Sequence, residues 1–220
     1  MAPILYTFSA SPAVRAVLIT AEAIQLELDE VKVDLVKSEQ LSESYSKVNP
    51  LQIVPSLDDN GNIICDSHVI NGYLLDKYGK NASLYPKDIY QRCLVQQGMA
   101  FDLGKLYPVA LDINLSYFRN EVTTLSPRTI ETVNTLYKFL ETMLKKQDWV
   151  ALDHITLADI SCYTTITTLN YHVMVKSTTY PKIANWMKRC SELPYFKNDV
   201  KNLESYYDVM KMFNVKRNED

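Results

Sequence analysis

Two serines stand where helices begin, and each could hold charge. In Asp66-Ser67 an acid and a hydroxyl precede Val69, Ile70, Tyr73, Leu74 and Tyr78, which fall at helical spacing. A helix opening there points a hydroxyl, backbone N–H groups and its positive dipole end at one place, which is built to hold a carboxylate. Ser11 is followed by Pro12, the signature of a cap with proline at the first helical position. A hydroxyl so placed can simply cap the helix. It can also donate a hydrogen bond to a thiolate, whose pKa the dipole lowers further. Moving a thiol down from ~8.5 by one or two units makes a large fraction thiolate at neutral pH. Between the two serines lies Val54-Pro55, after a turn and before a short strand. Proline removes a backbone donor there, and a cis bond would present the main chain of Val54 outward instead of into a sheet.

The surrounding elements must bring these pieces together. Pro3 to Thr7 is a short apolar strand, and the helix after Ser11 carries Val14, Val17, Leu18 and Ala21 on one face. Leu28 to Leu35, with Leu28, Val31, Val33 and Leu35 apolar, predicts a second strand. A loop and a short helical stretch follow. Asp59-Asn60-Gly61 separates the apolar runs Val54 to Leu57 and Ile63 to Cys65, a hairpin signal. This order suits a compact α/β unit ending near Tyr78, with Gly79-Lys80-Asn81-Ala82-Ser83 as a linker by composition.

From Asp88 onward the strand signals stop. Ile89 to Phe118 is one long amphipathic run with Pro108 placed to kink it. Ser126-Pro127 opens a helix to about Lys146. Thr156-Leu157-Ala158-Asp159 is a capping box with Asp in the Glu position, and Ile155 and Ile160 form a hydrophobic staple. The β-branched run from Thr164 to Thr168 lowers helix propensity, so tertiary burial must hold that helix. Pro181 opens another helix and Leu203 to Met212 a last one.

The 220 residues suffice for one large or two small domains, and 47% apolar with 22% charged is an ordinary globular balance. A net charge of −3 with scattered Lys and Arg predicts no nucleic-acid partner. No segment approaches the ~20 apolar residues of a membrane span, and no basic stretch leads into a long apolar run, so a cytoplasmic protein with no membrane partner is expected. Cys65, Cys93, Cys162 and Cys190 are widely spaced, with no CxxC and no His at ligand spacing. They are expected to be buried, reduced thiols, and no metal site is expected.

Several segments in order carry a family resemblance: Leu5-Tyr6-Thr7, Ser11 to Val17, the NPxxxVPxLDDNG stretch from Asn49 to Gly61, Asp66-Ser67-His68, Lys77 to Lys80 with Ser83 to Asp88, Ile155 to Ser161, and Tyr180-Pro181 through Leu193-Pro194-Tyr195. Together they resemble cytosolic glutathione S-transferases of the insect delta and epsilon classes, epsilon above all, over nearly the whole chain. The resemblance implies an α/β plus all-α protein. A thioredoxin-like glutathione-binding domain at 1–80 would be followed by an all-helical hydrophobic-substrate domain at 87–220. It implies a homodimer that uses glutathione as co-substrate and attacks small hydrophobic electrophiles in detoxification. A carrier of hydrophobic ligands with weak or no glutathione catalysis is the alternative. A scaffold module is a third reading, disfavoured because no further domain is appended.

Residue by residue, Ser11 falls on the family's catalytic serine, while Ser9 lies in the loop before the cap. Asp66 and Ser67 correspond to the pair that holds the γ-glutamyl end, and Val54, within Ile53-Val54-Pro55, to the backbone partner of the cysteinyl residue. His68 is implied as a glycyl- or glutamyl-side contact, against a structural role; His154 and His172 carry no motif. The family usually has histidines binding the glycyl carboxylate where this chain has Gln40 and Gln52. An amide still donates there but loses charge assistance. Leu152-Asp153 also stands where the family has Gly-Pro. The hydrophobic-substrate wall is expected from Phe8, Ile53, Tyr107, Ala110, Leu111, Asn114, Tyr206 and Met210, with small Ala110 and polar Asn114 suggesting depth and one hydrogen-bonding group.

Overall fold

A computed structural model describes residues 2–80 and 82–215. Asn81 of the expected linker, and residues 1 and 216–220 at the outer ends of the two expected domains, lie outside the described residues.

The first half runs β1 (Ile4–Thr7), α1 (Pro12–Ala23), β2 (Asp29–Lys32), α2 (Glu43–Val48), β3 (Ser56–Asp59), β4 (Asn62–Cys65) and α3 (Ser67–Tyr78). The sheet order is β2-β1-β3-β4, with β1 and β2 parallel and the other pairs antiparallel. Asp59 pairs with Asn62, leaving a two-residue loop, and Asn60 and Gly61 both take positive φ (55° and 87°), as the hairpin twist demands. Leu5, Val17, Leu57, Ile70 and Leu74 form a core between sheet and helices.

Strand β2 is shorter than the predicted Leu28–Leu35. Its ladder matches only the four residues of β1, and past Val33 the Asp34 carboxylate accepts the N–H groups of Val36 and Lys37 and turns the chain away. On α3, Val69 faces outward, while Ile70 and Leu74 are enclosed.

The second half is helical among the described residues: α4 (Ile89–Phe101), α5 (Tyr107–Phe118), α6 (Pro127–Leu144), α7 (Leu157–His172), α8 (Pro181–Glu192) and α9 (Asp199–Met212). The break in the long run precedes Pro108. Asp102–Leu106 is a π-helical turn in which Tyr107 N–H reaches back to the Asp102 carbonyl, and Pro108 sits in the first turn of α5, where its missing donor does no harm. The capping box forms, with Thr156 N–H and Oγ1–H both donating to Asp159 Oδ2 at 2.8 and 3.1 Å. Helix α9 begins a turn earlier than Leu203, because Asp199 is anchored from the other half.

That anchor is Arg15. Its side chain is fully buried, and its donors reach Asp199 Oδ1 (2.7 Å) and Oδ2 (2.6 Å), Thr167 Oγ1 (2.9 Å), Thr168 Oγ1 (3.3 Å) and the Thr164 carbonyl (3.4 Å). Nearly all of α7 is buried, including Thr164 to Thr168, so packing does hold this weak helix former. Of the cysteines, Cys162 and Cys190 are buried and Cys65 partly so. Cys93 is exposed, against the expectation, because its side of α4 turns away from the core.

Replacing one partner of a buried ion pair strands the other charge, so Asp199→Ala is expected to cost ~3–5 kcal/mol of stability. The double variant Arg15→Met/Asp199→Leu should recover most of that loss. Urea unfolding midpoints of the single and double variants decide it; an Asp199→Ala cost below ~1 kcal/mol would show that the pair is not what ties the halves together.

Candidate functional site

The sheet register gathers the predicted pieces. Tyr6 pairs with Ser56 and Ser56 with Cys65, so the end of β1, the start of β3 and the end of β4 share one sheet edge. The chain therefore delivers Phe8 to Ser11, Gln52 to Pro55, and Asp66 to His68 to the same end of the sheet.

Ser11 is the N-cap of α1. Its Oγ accepts Val14 N–H at a long 3.5 Å, and its own N–H donates to the Phe8 carbonyl at 2.8 Å. Accepting that bond uses only a lone pair, so the Ser11 O–H can still donate, at the positive end of a twelve-residue helix.

The Val54-Pro55 bond is cis, and Val54 lies just outside the ladder, which starts at Ser56. The loop before it is tied down from below. Asn49 Nδ2 donates to the Ile53 carbonyl and to Ser56 Oγ, both at 2.9 Å, and Tyr45 hydroxyl donates to the same carbonyl at 2.7 Å. Gln52 takes a left-handed φ of 55° and stays partly exposed. Gln40, in the 3₁₀ turn Glu39–Leu41, is half-buried.

Asp66 holds φ 73° and ψ 123°, a conformation that costs ~1–3 kcal/mol unless its surroundings enforce it. They do so through its carboxylate, which accepts from His68 N–H (2.9 Å), Val69 N–H (3.3 Å) and the His68 ring (3.2 Å). On its far side the same ring meets Asp102 Oδ2 at 2.9 Å. His68 is thus buried between two carboxylates with both ring nitrogens engaged. The ligand contact implied for it is replaced by support of Asp66.

Burial by itself would push the His68 imidazole down. Hydrogen bonds and charge from Asp102 and Asp66 outweigh it and carry the pKa up to about 9. Burial likewise pushes the Asp66 carboxyl up, yet His68 and the capping N–H groups hold it below the usual carboxylate range. Burial wins at Asp102, which is raised although His68 opposes it. Imidazolium against Asp66 thus keeps an ionised carboxylate at the mouth of the site, beside the N-terminus of α3.

The second-half candidates divide. Phe8 and Tyr107 are half-buried, and Ile53 and Leu111 are exposed. Ala110, Tyr206 and Met210 are enclosed in the helical core, and Asn114 nearly so, which corrects the expectation that all line an accessible wall. The cause is helix rotation: α5 turns Ala110, Ile113 and Tyr117 inward, leaving Tyr107 and Leu111 nearer the surface. Burial, then the charges of Asp102 and Asp66, push the Tyr107 hydroxyl up to about 12.

Sequence reasoning missed Asp102, Tyr45 and Asn49. Asn49 had a signal, as the first residue of the Asn-Pro stretch. Asp102 had only its polarity inside an apolar run, since a π turn, invisible to helical spacing, aims it inward.

Comparison with known proteins adds identity to this geometry. The family models "Glutathione S-transferase, N-terminal domain" and "Glutathione S-transferase, C-terminal domain" match residues 5–82 and 106–194. Glutathione S-transferase 1 of Manduca sexta is 40% identical, over 88% of this chain and 89% of its own. An epsilon-class glutathione S-transferase of the housefly Musca domestica superimposes with a TM-score of 0.93 at 36% identity, covering 97% of this chain and 99% of that one. A glutathione transferase homologue of Drosophila mojavensis, solved with bound glutathione, gives a TM-score of 0.93 at 38% identity, over 98% of this chain and 99% of that one.

The His68 bridge has a pH signature. A pKa raised from the ordinary 6.5 to about 9 contributes stability that is full below pH 6.5 and lost as pH climbs through 9. The stability advantage of the natural protein over His68→Asn is expected to shrink by ~1–3 kcal/mol between pH 6.5 and 9.5, read from urea midpoints. A difference that stays constant over this range would mean that the imidazole is not charged.

Proposed function

The chain belongs to the glutathione S-transferase family, and we propose that it is an epsilon-like, homodimeric member that conjugates glutathione to small hydrophobic electrophiles through Ser11. Conjugation of glutathione is the activity of the family; its relatives are transferases, which disfavours the carrier reading. Glutathione supplies the thiolate nucleophile, and the protein's own work is to lower the cost of that thiolate and to hold both partners in reach.

The observation that carries the Ser11 assignment is its place: a weakly engaged hydroxyl at the N-terminus of α1, on the sheet edge shared with Val54 and Asp66. In this reading the hydroxyl donates to the sulfur while the dipole of α1 favours its negative charge. The main chain of Val54, between Ile53 and Pro55, pairs with the cysteinyl residue. Asp66, kept ionised by His68, answers the γ-glutamyl ammonium, and Ser67 with the α3 N-terminus answers its carboxylate. Gln40 and Gln52 face the glycyl end as neutral donors. Phe8, Ile53, Tyr107 and Leu111 meet the electrophile.

We assign the glutathione-binding domain to 1–80 and the hydrophobic-substrate domain to 87–220. Exposed Ile63, Val69, Ile89 and Tyr90, on β4, α3 and the start of α4, are the apolar surface that a second copy would cover. Among the described residues no helix is long and apolar enough to cross a membrane. A cytoplasmic detoxification role is the reading that fits a glutathione-dependent activity and reduced cysteines.

Ser11→Ala is expected to lower turnover with glutathione at least ~10-fold, equivalent to ~1.4 kcal/mol of lost thiolate stabilisation. Full turnover in Ser11→Ala with loss in Ser9→Ala would move the role to Ser9, and full turnover in both would remove the serine mechanism.

Gln52→His tests the glycyl contact. Histidine tolerates the left-handed backbone that Gln52 adopts, so the exchange is sterically mild. Glutathione binding should tighten a few-fold, by ~0.5–1.5 kcal/mol, and more at pH 6 than at pH 8, because only imidazolium carries charge. Calorimetric titration at both pH values checks it; no gain at pH 6 would mean that Gln52 does not face the carboxylate.

A further inference from the structure

Strand β2 is an edge of the sheet, and its outer side has no neighbouring strand among the described residues. Asp29 N–H donates to the Pro3 carbonyl at 3.0 Å and Val33 N–H to the Thr7 carbonyl at 2.8 Å, both on the side of β1. Main-chain groups alternate sides along a strand, so Glu30 and Lys32 turn their N–H and C=O groups outward. All four residues of β2 are exposed. The edge is an open ladder on which another strand can add.

Beside that edge lies a groove of about 420 Å³ between the two halves. Leu18 and Ile19 of α1, Leu26 and Leu28 before β2, and Tyr195 between α8 and α9 give it an apolar lining. Glu22, Glu27 and Glu30 line it as well, and none of them has a cation partner among the described residues. Asp199 also lines the groove but is already paired with Arg15, and the wall from α9 brings Lys201. From Glu22 to Val33 the chain carries the acids Glu22, Glu27, Asp29 and Glu30 against Lys32 alone.

Charge selects the occupant. Like charges across a strand pair repel, so this acidic edge disfavours a second copy of itself and favours a cationic strand. An added strand sends alternate side chains to one face. Apolar ones settle on the lining, and long cationic ones span to the rim carboxylates and to Asp29.

We propose that β2 and this groove form a docking surface for an extended segment of another protein, a strand of alternating apolar and basic side chains that adds to the free edge of the sheet. None of Ser11, Val54 and Asp66 lines the groove, so the surface is separate from the thiol site.

The probe is the capped, fluorescent peptide Lys-Val-Lys-Val-Lys-Val-Lys, titrated with the full chain and read by anisotropy. Its counterpart with Glu at every Lys position is expected to bind at least ~10-fold more weakly, and Glu27→Lys should weaken the basic peptide by a similar factor. Lys32→Pro removes one outward N–H together with a positive charge. Losing a cation cannot weaken a cationic ligand through charge, so the expected fall of roughly 3- to 10-fold reports the lost main-chain bond. Proline is tolerated on an edge whose N–H faces solvent, and urea midpoints check the folding of each variant. Where Lys32→Pro is destabilised, Glu30→Pro removes the other outward donor, with Glu30→Gln as its charge control. Failure of the natural chain to bind the basic peptide, or equal binding of the acidic one, would overturn the proposal. Binding that survives the proline variants, or that falls equally in Glu30→Gln and Glu30→Pro, would overturn strand addition. Self-association that Lys32→Pro abolishes, without peptide binding, would give the edge to a second copy instead.

Discussion

The site's geometry hangs on Arg15. A guanidinium has five N–H donors, and each finds an oxygen here: two on Asp199, two on threonine hydroxyls and one on the Thr164 carbonyl. Full satisfaction is what makes so deep a charge tolerable, since desolvating an ion pair otherwise costs more than its attraction returns. The consequence is positional. Arg15 lies one helical turn after Ser11, so clamping it to α7 and α9 fixes where the N-terminus of α1 points.

The second link between the halves is the Asp66–His68–Asp102 bridge, and it works differently. Arg15 ties helices together without touching Asp66 or Val54. His68 joins Asp66 to the π turn that precedes α5. One imidazolium thus holds a strained cap, keeps a carboxylate ionised and sets the start of α5. Because Tyr107 follows directly, the Asp66 cap and the first turn of α5 share a support.

Helix α7 makes the Arg15 link possible at some cost in local preference. A run of β-branched residues is a poor choice for an isolated helix. In the core its hydroxyls bond back to the helix's own carbonyls, as Thr167 and Thr168 do, and Arg15 finds those same oxygens within reach. His172 at its end carries the same logic to Tyr206 and Asn114. Polar groups that weaken the helix alone become the partners that position its neighbours.

Local chemistry determined what the chain could announce by itself. Ser11-Pro12, Thr156 with Asp159, Ser126-Pro127 and Asn60-Gly61 act through their own backbone within three or four residues, so the elements they bound were readable from residue order. The meeting of Val54-Pro55 and Asp66-Ser67 at one end of the sheet was readable too, because both are short motifs and the hairpin between them sets their register. Tertiary structure decided the rest. Which way Asp102 points depends on a π turn, and whether Ala110, Tyr206 and Met210 are wall or core depends on how α5 and α9 rotate against α7. That His68 is a buried bridge was decided only where a carboxylate 34 residues away meets its ring. Such contacts are set by packing between distant segments, where the balance of burial and charge is unknown until the segments meet.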